Sequence, residues 1–185
     1  MVFSRLFKRD AAKEGAQALY LALATQARAP YFYAVAGVPD SLDGRFDAVA
    51  LHAFLVLNRL KREDDALAAS LAQNLVDMFV EDMDRSVREL GVGDMGVARR
   101  VKQMAQALYG RAAVYEQAVA ETDDGALTQA LARNLYGTCA APDAANIALA
   151  ARYVRAAVAR LAAQPLAQLA QGRIDFPVPG DTHTP

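Results

Sequence analysis

The sequence predicts an all-α fold, a single compact domain of about six helices in which two long central amphipathic helices meet at a glycine turn. Three observations predict it. Apolar residues recur at steps of three and four, most cleanly at Val97, Val101, Met104, Leu108, Ala112, Tyr115 and Val119, the spacing of one helix face. Apolar residues make up 54% of the chain, many of them alanines, and alanine favours helix over every other state. No segment alternates apolar and polar residues as a half-buried strand does, and no fixed-period repeat is present. At 185 residues the chain can bury a core without help from disulfides or metal.

The elements follow in order. Residues 1–10 form a basic and apolar N-terminal segment, and a first helix is expected over residues 11–29, with Leu19 and Leu23 on its inner side. It stops ahead of Pro30, because proline disfavours helical geometry in the residue before it. A turn-rich loop runs from Pro30 to Gly44. The second helix reaches about Lys61, and Phe46, Val49, Leu51, Phe54, Leu55, Val56, Leu57 and Leu60 surround much of it, the pattern of a helix packed on several sides. A third helix spans Glu63 to Leu90 with a broad apolar stripe. Its exposed face pairs Glu81 with Arg85 and Asp84 with Arg88, the favourable order at a spacing of four. Gly91 supplies a left-handed terminus, and Asp94 is placed to cap the fourth helix. Gly110 inside that helix costs ~1 kcal/mol relative to alanine, which a close helix approach or a slight bend would explain. Thr122 or Asp123 caps a fifth helix ended by Gly137. Pro142 and Asp143 start a sixth, with Ile147, Ala150, Val154, Ala157 and Leu161 inward and Pro165 at its end. The helical domain is therefore expected over residues 11–172, with residues 173–185 a disordered tail.

Composition narrows the chemistry. Twenty Lys and Arg against 21 Asp and Glu leave a net charge of -1, which indicates no general attraction to nucleic acid. The single cysteine, Cys139, cannot close an internal disulfide, and no C-x-x-C pair is present to bind metal or haem. A reducing compartment fits. No run approaches the roughly 18 apolar residues of a membrane span, and the start lacks an uninterrupted signal-peptide core. The expectation is a bacterial-type cytoplasmic protein, in peripheral contact at most with the inner membrane. Phe3, Leu6, Phe7, Arg5 and Lys8 offer one weak membrane-surface patch. Asp77 and Glu81 invite comparison with the magnesium sites of all-helical isoprenoid synthases. That chemistry needs a second carboxylate cluster across a deep cavity, and Asp123-Asp124 reads instead as a helix start. A solvated face is the preferred reading. A di-iron site needs Glu-x-x-His pairs, and the sequence has none.

Two blocks carry more information than composition does. One is Asp82-Met83-Asp84-Arg85-Ser86-Val87-Arg88-Glu89-Leu90-Gly91-Val92-Gly93-Asp94, running on to Tyr109-Gly110-Arg111 and Tyr115. The other is Ala27-Arg28-Ala29-Pro30-Tyr31-Phe32-Tyr33, then Gly37-Val38-Pro39-Asp40, Gly44-Arg45-Phe46-Asp47 and Leu51-His52. From about Ala27 to Val119 the chain resembles the ubiquinol–cytochrome c chaperone family. Ser41 and Ala48 depart from it where a threonine and a bulkier apolar residue are expected. The resemblance implies a non-catalytic assembly factor for respiratory complex III, binding newly made cytochrome b without a cofactor or metal of its own. It also implies transient contact with the ribosome or the membrane surface. A helical scaffold for another client and the isoprenoid-synthase-like enzyme are the rival readings.

The expected partner surface combines three groups. Tyr31, Phe32 and Tyr33 cannot all enter one core from consecutive positions, so part of this aromatic run is expected at a partner, beside Val38 and Asp40. Arg45, His52 and Arg59 recur at sevens, hence near one helix face, and form a basic strip; haem ligation by His52 is the minor alternative to a plain hydrogen-bonded histidine. Arg85, Arg88 and Asp94 mark the central turn, with Met95 beside them as a surface candidate. Arg99, Arg100 and Lys102, in the first turns of the fourth helix, either pair with Asp77, Glu81 or Asp84 or face an anionic partner.

Overall fold

The structure is a computed structural model describing residues 2–91 and 93–180, with the backbone path alone for residues 2–11. The side chains of the N-terminal membrane patch (Phe3 to Lys8) therefore lie outside the described residues. Among the described residues eight helices occur: α1 (Val2–Ala27), α2 (Pro30–Ala34), α3 (Leu42–Leu60), α4 (Ala66–Glu89), α5 (Asp94–Ala120), α6 (Gly125–Asn134), α7 (Ala144–Ala163) and α8 (Leu166–Leu169). Six of them have ten residues or more, and these are the six read from the sequence. Among the described residues there is no strand.

The bundle is built around α3. It packs against α1, α4, α5 and α7, and thirteen of its nineteen residues are buried. Leu51, Phe54, Leu55 and Val56 are almost wholly enclosed, each contributing about 1.5–3 kcal/mol over exposure. The predicted stripe of α4 is inward at Leu71, Leu75, Phe79, Met83 and Val87. On α5 the inward face is Val97, Leu108, Tyr115 and Ala118, and Phe54 meets Tyr115 at 5.4 Å between ring centroids.

Local chemistry sets the ends. Ser41 Oγ accepts from Gly44 N at 3.1 Å, so the residue that departs from the expected threonine still caps α3. Gly44 lies so close to the Pro39 carbonyl that a Cβ there would clash with it. Asp65 caps α4 by accepting from Leu67 N, and Asp143 caps α7 through Ala145 N, each cap contributing about 1 kcal/mol. Gly91 has φ 75°, as the turn requires.

Several expectations need correction. The loop after Pro30 contains the short α2. Asp94 is the first residue of α5, with Gly93 at the cap position, and its carboxylate is drawn instead to Arg88. Asp124 holds the cap position of α6, although Asp123 Oδ1 accepts from Gly125 N at 2.7 Å. Gly110 has open space around its Cα, so neither close packing nor crowding explains it. Residues 173–180 run as a strap with contacts to the bundle. Gln26 Nε2 donates to the Pro177 carbonyl at 3.2 Å, and Gln164 donates to the Arg173 carbonyl at 2.9 Å. Arg160 holds the Phe176 carbonyl, and the Phe176 ring packs edge-on to His52 at 5.3 Å. Backbone polar groups that find such partners do not need water, and that fixes the strap.

Candidate functional site

The expected surface divides into buried and exposed members. Phe32 is buried and stands edge-on to His52 at 5.1 Å and to Tyr153 at 4.9 Å. Val38 is buried as well. Tyr31 and Tyr33 are half-buried, and Tyr33 spends its hydroxyl on the Ala27 carbonyl at the end of α1. Of the basic strip only Arg45 reaches solvent, paired with Asp40 at 2.7 Å; that hydrogen bond holds the Asp40 carboxyl below its usual range.

His52 and Arg59 do not belong to a contact surface. His52 has no exposure at all. Its Nδ1–H donates to the Ala48 carbonyl at 2.8 Å, which fixes the tautomer, because a carbonyl can only accept. Nε2 then accepts from the Tyr153 hydroxyl at 2.9 Å, and Gln26 donates to that hydroxyl at 3.1 Å. Burial holds the imidazole down to about 4, so both nitrogens are occupied and neutral at ordinary pH. Arg59 is buried too: Nε and Nη2 donate to the carbonyls of Leu161 and Gln164 at 2.7 and 2.9 Å, while Nη1 lies 2.6 Å from Glu63. It finishes the C-terminus of α7, where a cation favours the helix dipole.

The central turn remains exposed. Arg88 bridges Asp84 at 2.6 Å and Asp94 at 2.7 Å, pinning α4 to α5. Arg85 lies 3.9 Å from Asp82, not with the expected Glu81. Asp82 also accepts from the Tyr20 hydroxyl at 2.6 Å, beside a cavity of about 290 Å³ between α1 and α4. Arg99, Arg100 and Lys102 are exposed. Among the described residues none of the three lies within 4.0 Å of a carboxylate, so the pairing with Asp77, Glu81 or Asp84 does not form. Asp77 accepts instead from Gln73 at 3.0 Å. No group of three or more His, Cys, Asp and Glu side chains placed to hold a metal occurs among the described residues.

A larger cleft, about 440 Å³, opens beside this turn. Its apolar lining comes from Leu42 and Phe46 of α3, Val87 and Leu90 at the end of α4, and Met104 of α5. Leu42 and Leu90 are 43% and 54% exposed, and Met95 nearby on α5 is 91% exposed. Arg100, Arg111 and Arg133 line the same cleft with Asp43 and Asp47.

At its base sits a cluster that spacing alone did not single out. Arg111 Nη2 stands 2.7 Å from Asp47 Oδ1, and its guanidinium lies 5.3 Å from the Phe46 ring centroid. Burial pushes the Asp47 carboxyl up to about 6, against the pull of Arg111. Asp47 Oδ1, Arg111 Nε and the Tyr115 hydroxyl are buried without a hydrogen-bond partner, so the 2.7 Å contact is an ion pair outside hydrogen-bond alignment. Burial, then the Asp47 charge, raises the Tyr115 hydroxyl far above its ordinary range. Arg111 Nε and the Tyr115 hydroxyl, left without any partner, are costly to bury. The available signal was the two sequence blocks themselves: Gly44–Asp47 ends on Asp47, and Tyr109–Arg111 with Tyr115 supplies the partners from α5.

Fold and cleft together define an all-α domain with an amphipathic cleft at the junction of its two longest fully described helices, α4 and α5. Residues 34–176 match the family described as Ubiquinol-cytochrome C chaperone, and the chain belongs to that family. The chain is 27% identical to Protein CBP3, mitochondrial, of Saccharomyces cerevisiae over 154 residues, covering 82% of this chain and 46% of that protein. It is 26% identical to ubiquinol-cytochrome-c reductase complex assembly factor 1 of Xenopus laevis over 124 residues, covering 67% of this chain and 60% of the relative. It thus spans about half the length of these curated relatives. The crystal structure of the Cbp3 homolog from Brucella abortus superposes with a TM-score of 0.84 at 35% identity, covering 98% of this chain and 99% of that one.

Proposed function

We propose that the chain is an assembly chaperone for ubiquinol–cytochrome c reductase that receives newly made cytochrome b and holds it until incorporation. On this reading it catalyses no reaction and needs no cofactor. It works in the cytoplasm, touching the inner membrane from its surface. Family membership supports the reading, as does the Xenopus relative, whose name describes an assembly factor of that complex.

The single observation that carries it is the convergence of both family-like sequence blocks on one open cleft, with Phe46 and Asp47 from the first and Val87, Leu90 and Arg111 from the second. An unfinished membrane subunit presents apolar segments to water, and a concave apolar lining with a polar rim covers such a segment reversibly. Among the described residues no helix is long and apolar enough to cross a membrane.

Deleting the gene and measuring the assembled reductase on native gels, with the haem b difference spectrum, tests the proposal. Loss of both, with other membrane complexes spared, is expected. Normal levels of the reductase would contradict it.

A further inference from the structure

We infer that the cleft takes an apolar protein segment that carries a carboxylate, the acid meeting Arg100 and Arg133 while apolar side chains lie on Phe46, Leu90 and Met104. The inference rests on the docking reading above and specifies the chemistry of what docks.

The charges in the cleft lead to it. Arg100 and Arg133 both line the cleft, and among the described residues neither has a carboxylate within 4.0 Å. Within one turn their own helices offer none. One turn from Arg100 stand Gly96, Gln103 and Met104, and one turn from Arg133 stand Gln129, Ala130, Tyr136 and Gly137. The lining holds three arginines, Arg100, Arg111 and Arg133, against two acids, Asp43 and Asp47, a surplus of one positive charge. Asp47 is held by Arg111, and Asp43 sits in the first turn of α3, where its charge favours the helix dipole. A surplus of positive charge thus borders an apolar lining.

That combination selects the occupant. A purely apolar segment would leave the arginines stranded as it displaced water from them, and a cationic one would be repelled. An acid on an apolar segment satisfies both features, and arginine holds carboxylate in a two-pronged geometry. The lining is concave and shared by α3, α4, α5 and α6, so an inserted peptide reaches it where a flat headgroup plane does not.

The test uses the full chain and three fluorescent synthetic peptides, an apolar sequence of alanine, leucine and phenylalanine with one central glutamate, glutamine or lysine. Anisotropy is expected to show the glutamate peptide binding about tenfold tighter than the glutamine one, with the advantage shrinking in high salt. R100Q/R133Q should abolish that preference, and R100E/R133E should transfer it to the lysine peptide. Both sets of changes are at the cleft surface, so melting temperatures should stay near wild type; if the reversal does not fold, the glutamine pair decides. Equal binding of the glutamate and glutamine peptides by the wild-type chain would overturn the inference. So would a glutamate preference that survives R100Q/R133Q, or phosphatidylglycerol vesicles that bind more tightly than the peptide and displace it. Charge-blind peptide binding together with loss of the reductase on gene deletion would remove the inference and leave the proposed function standing. A charge-selective cleft in cells with normal reductase would do the reverse.

Discussion

Two buried polar clusters lie on the same helix and behave in opposite ways. His52, near the middle of α3, has both ring nitrogens bonded, and its partners extend through Tyr153 and Gln26 to the Pro177 carbonyl. Asp47, five residues earlier, sits with Arg111 and Tyr115, and each of the three has a polar atom without a hydrogen bond. The satisfied chain ties α1, α3, α7 and the C-terminal strap together. The unsatisfied cluster borders an open cleft with exposed leucines and unpaired arginines. Polar burial that is fully answered within the chain holds the fold, whereas polar burial left unanswered costs it stability.

Substitutions can break or sharpen this contrast. The largest effect belongs to His52→Ala, which empties a fully buried site and leaves the Tyr153 hydroxyl without its acceptor. It should cost about 3–5 kcal/mol, read as a fall in the urea midpoint, and a loss under 1 kcal/mol or so would dissolve the distinction between the clusters.

Asp47→Asn comes next, and its signature is pH dependence. The Asp47 carboxyl is raised from 3.8 to about 6, so the folded chain binds this proton more tightly than the unfolded one. The stability it lends is present below the unfolded value and lost as pH rises through about 6. The stability of Asp47→Asn relative to wild type should therefore grow by about 3 kcal/mol between acid and neutral pH. His52 runs the other way: held from 6.5 down to about 4, it costs stability as pH falls through that window. The variant, with the opposing carboxyl gone, should be the more acid-sensitive protein. Parallel pH profiles for the two proteins would count against a strained Asp47.

Smaller still is Gly110→Ala, which fills open space on α5 and should stabilise by at most about 1 kcal/mol. Arg45→Ala removes only an exposed pair with Asp40 and should leave the melting temperature unchanged.

Much of the fold was legible because helical periodicity is local. The inward faces of α4, α5 and α7, the glycine turn and the cap at Asp143 follow from neighbours in sequence. The basic strip did not survive for a geometric reason. A spacing of seven places Arg45, His52 and Arg59 near one side of α3, yet it cannot say whether that side faces water. The apolar residues surrounding α3 were the better guide, since a helix packed on all sides must answer its polar residues internally. The strap was missed because its anchors, Gln26 and Gln164, are distant and neutral. The Asp47–Arg111–Tyr115 cluster joins residues of α3 and α5, and only the packing of those helices brings them together. Phe32 shows the same limit from the other direction: three consecutive aromatics require that one point away, and the bundle chose the middle one for its core.

The central claim is that the cleft, and not the satisfied side of the bundle, meets the client. A photo-crosslinking residue placed at Leu90, exposed in the cleft, and separately at Val178, exposed on the strap, tests it in cells making the reductase. Newly made cytochrome b should be captured from position 90 and not from position 178. Capture from position 178 alone, or equally from both, would contradict the account.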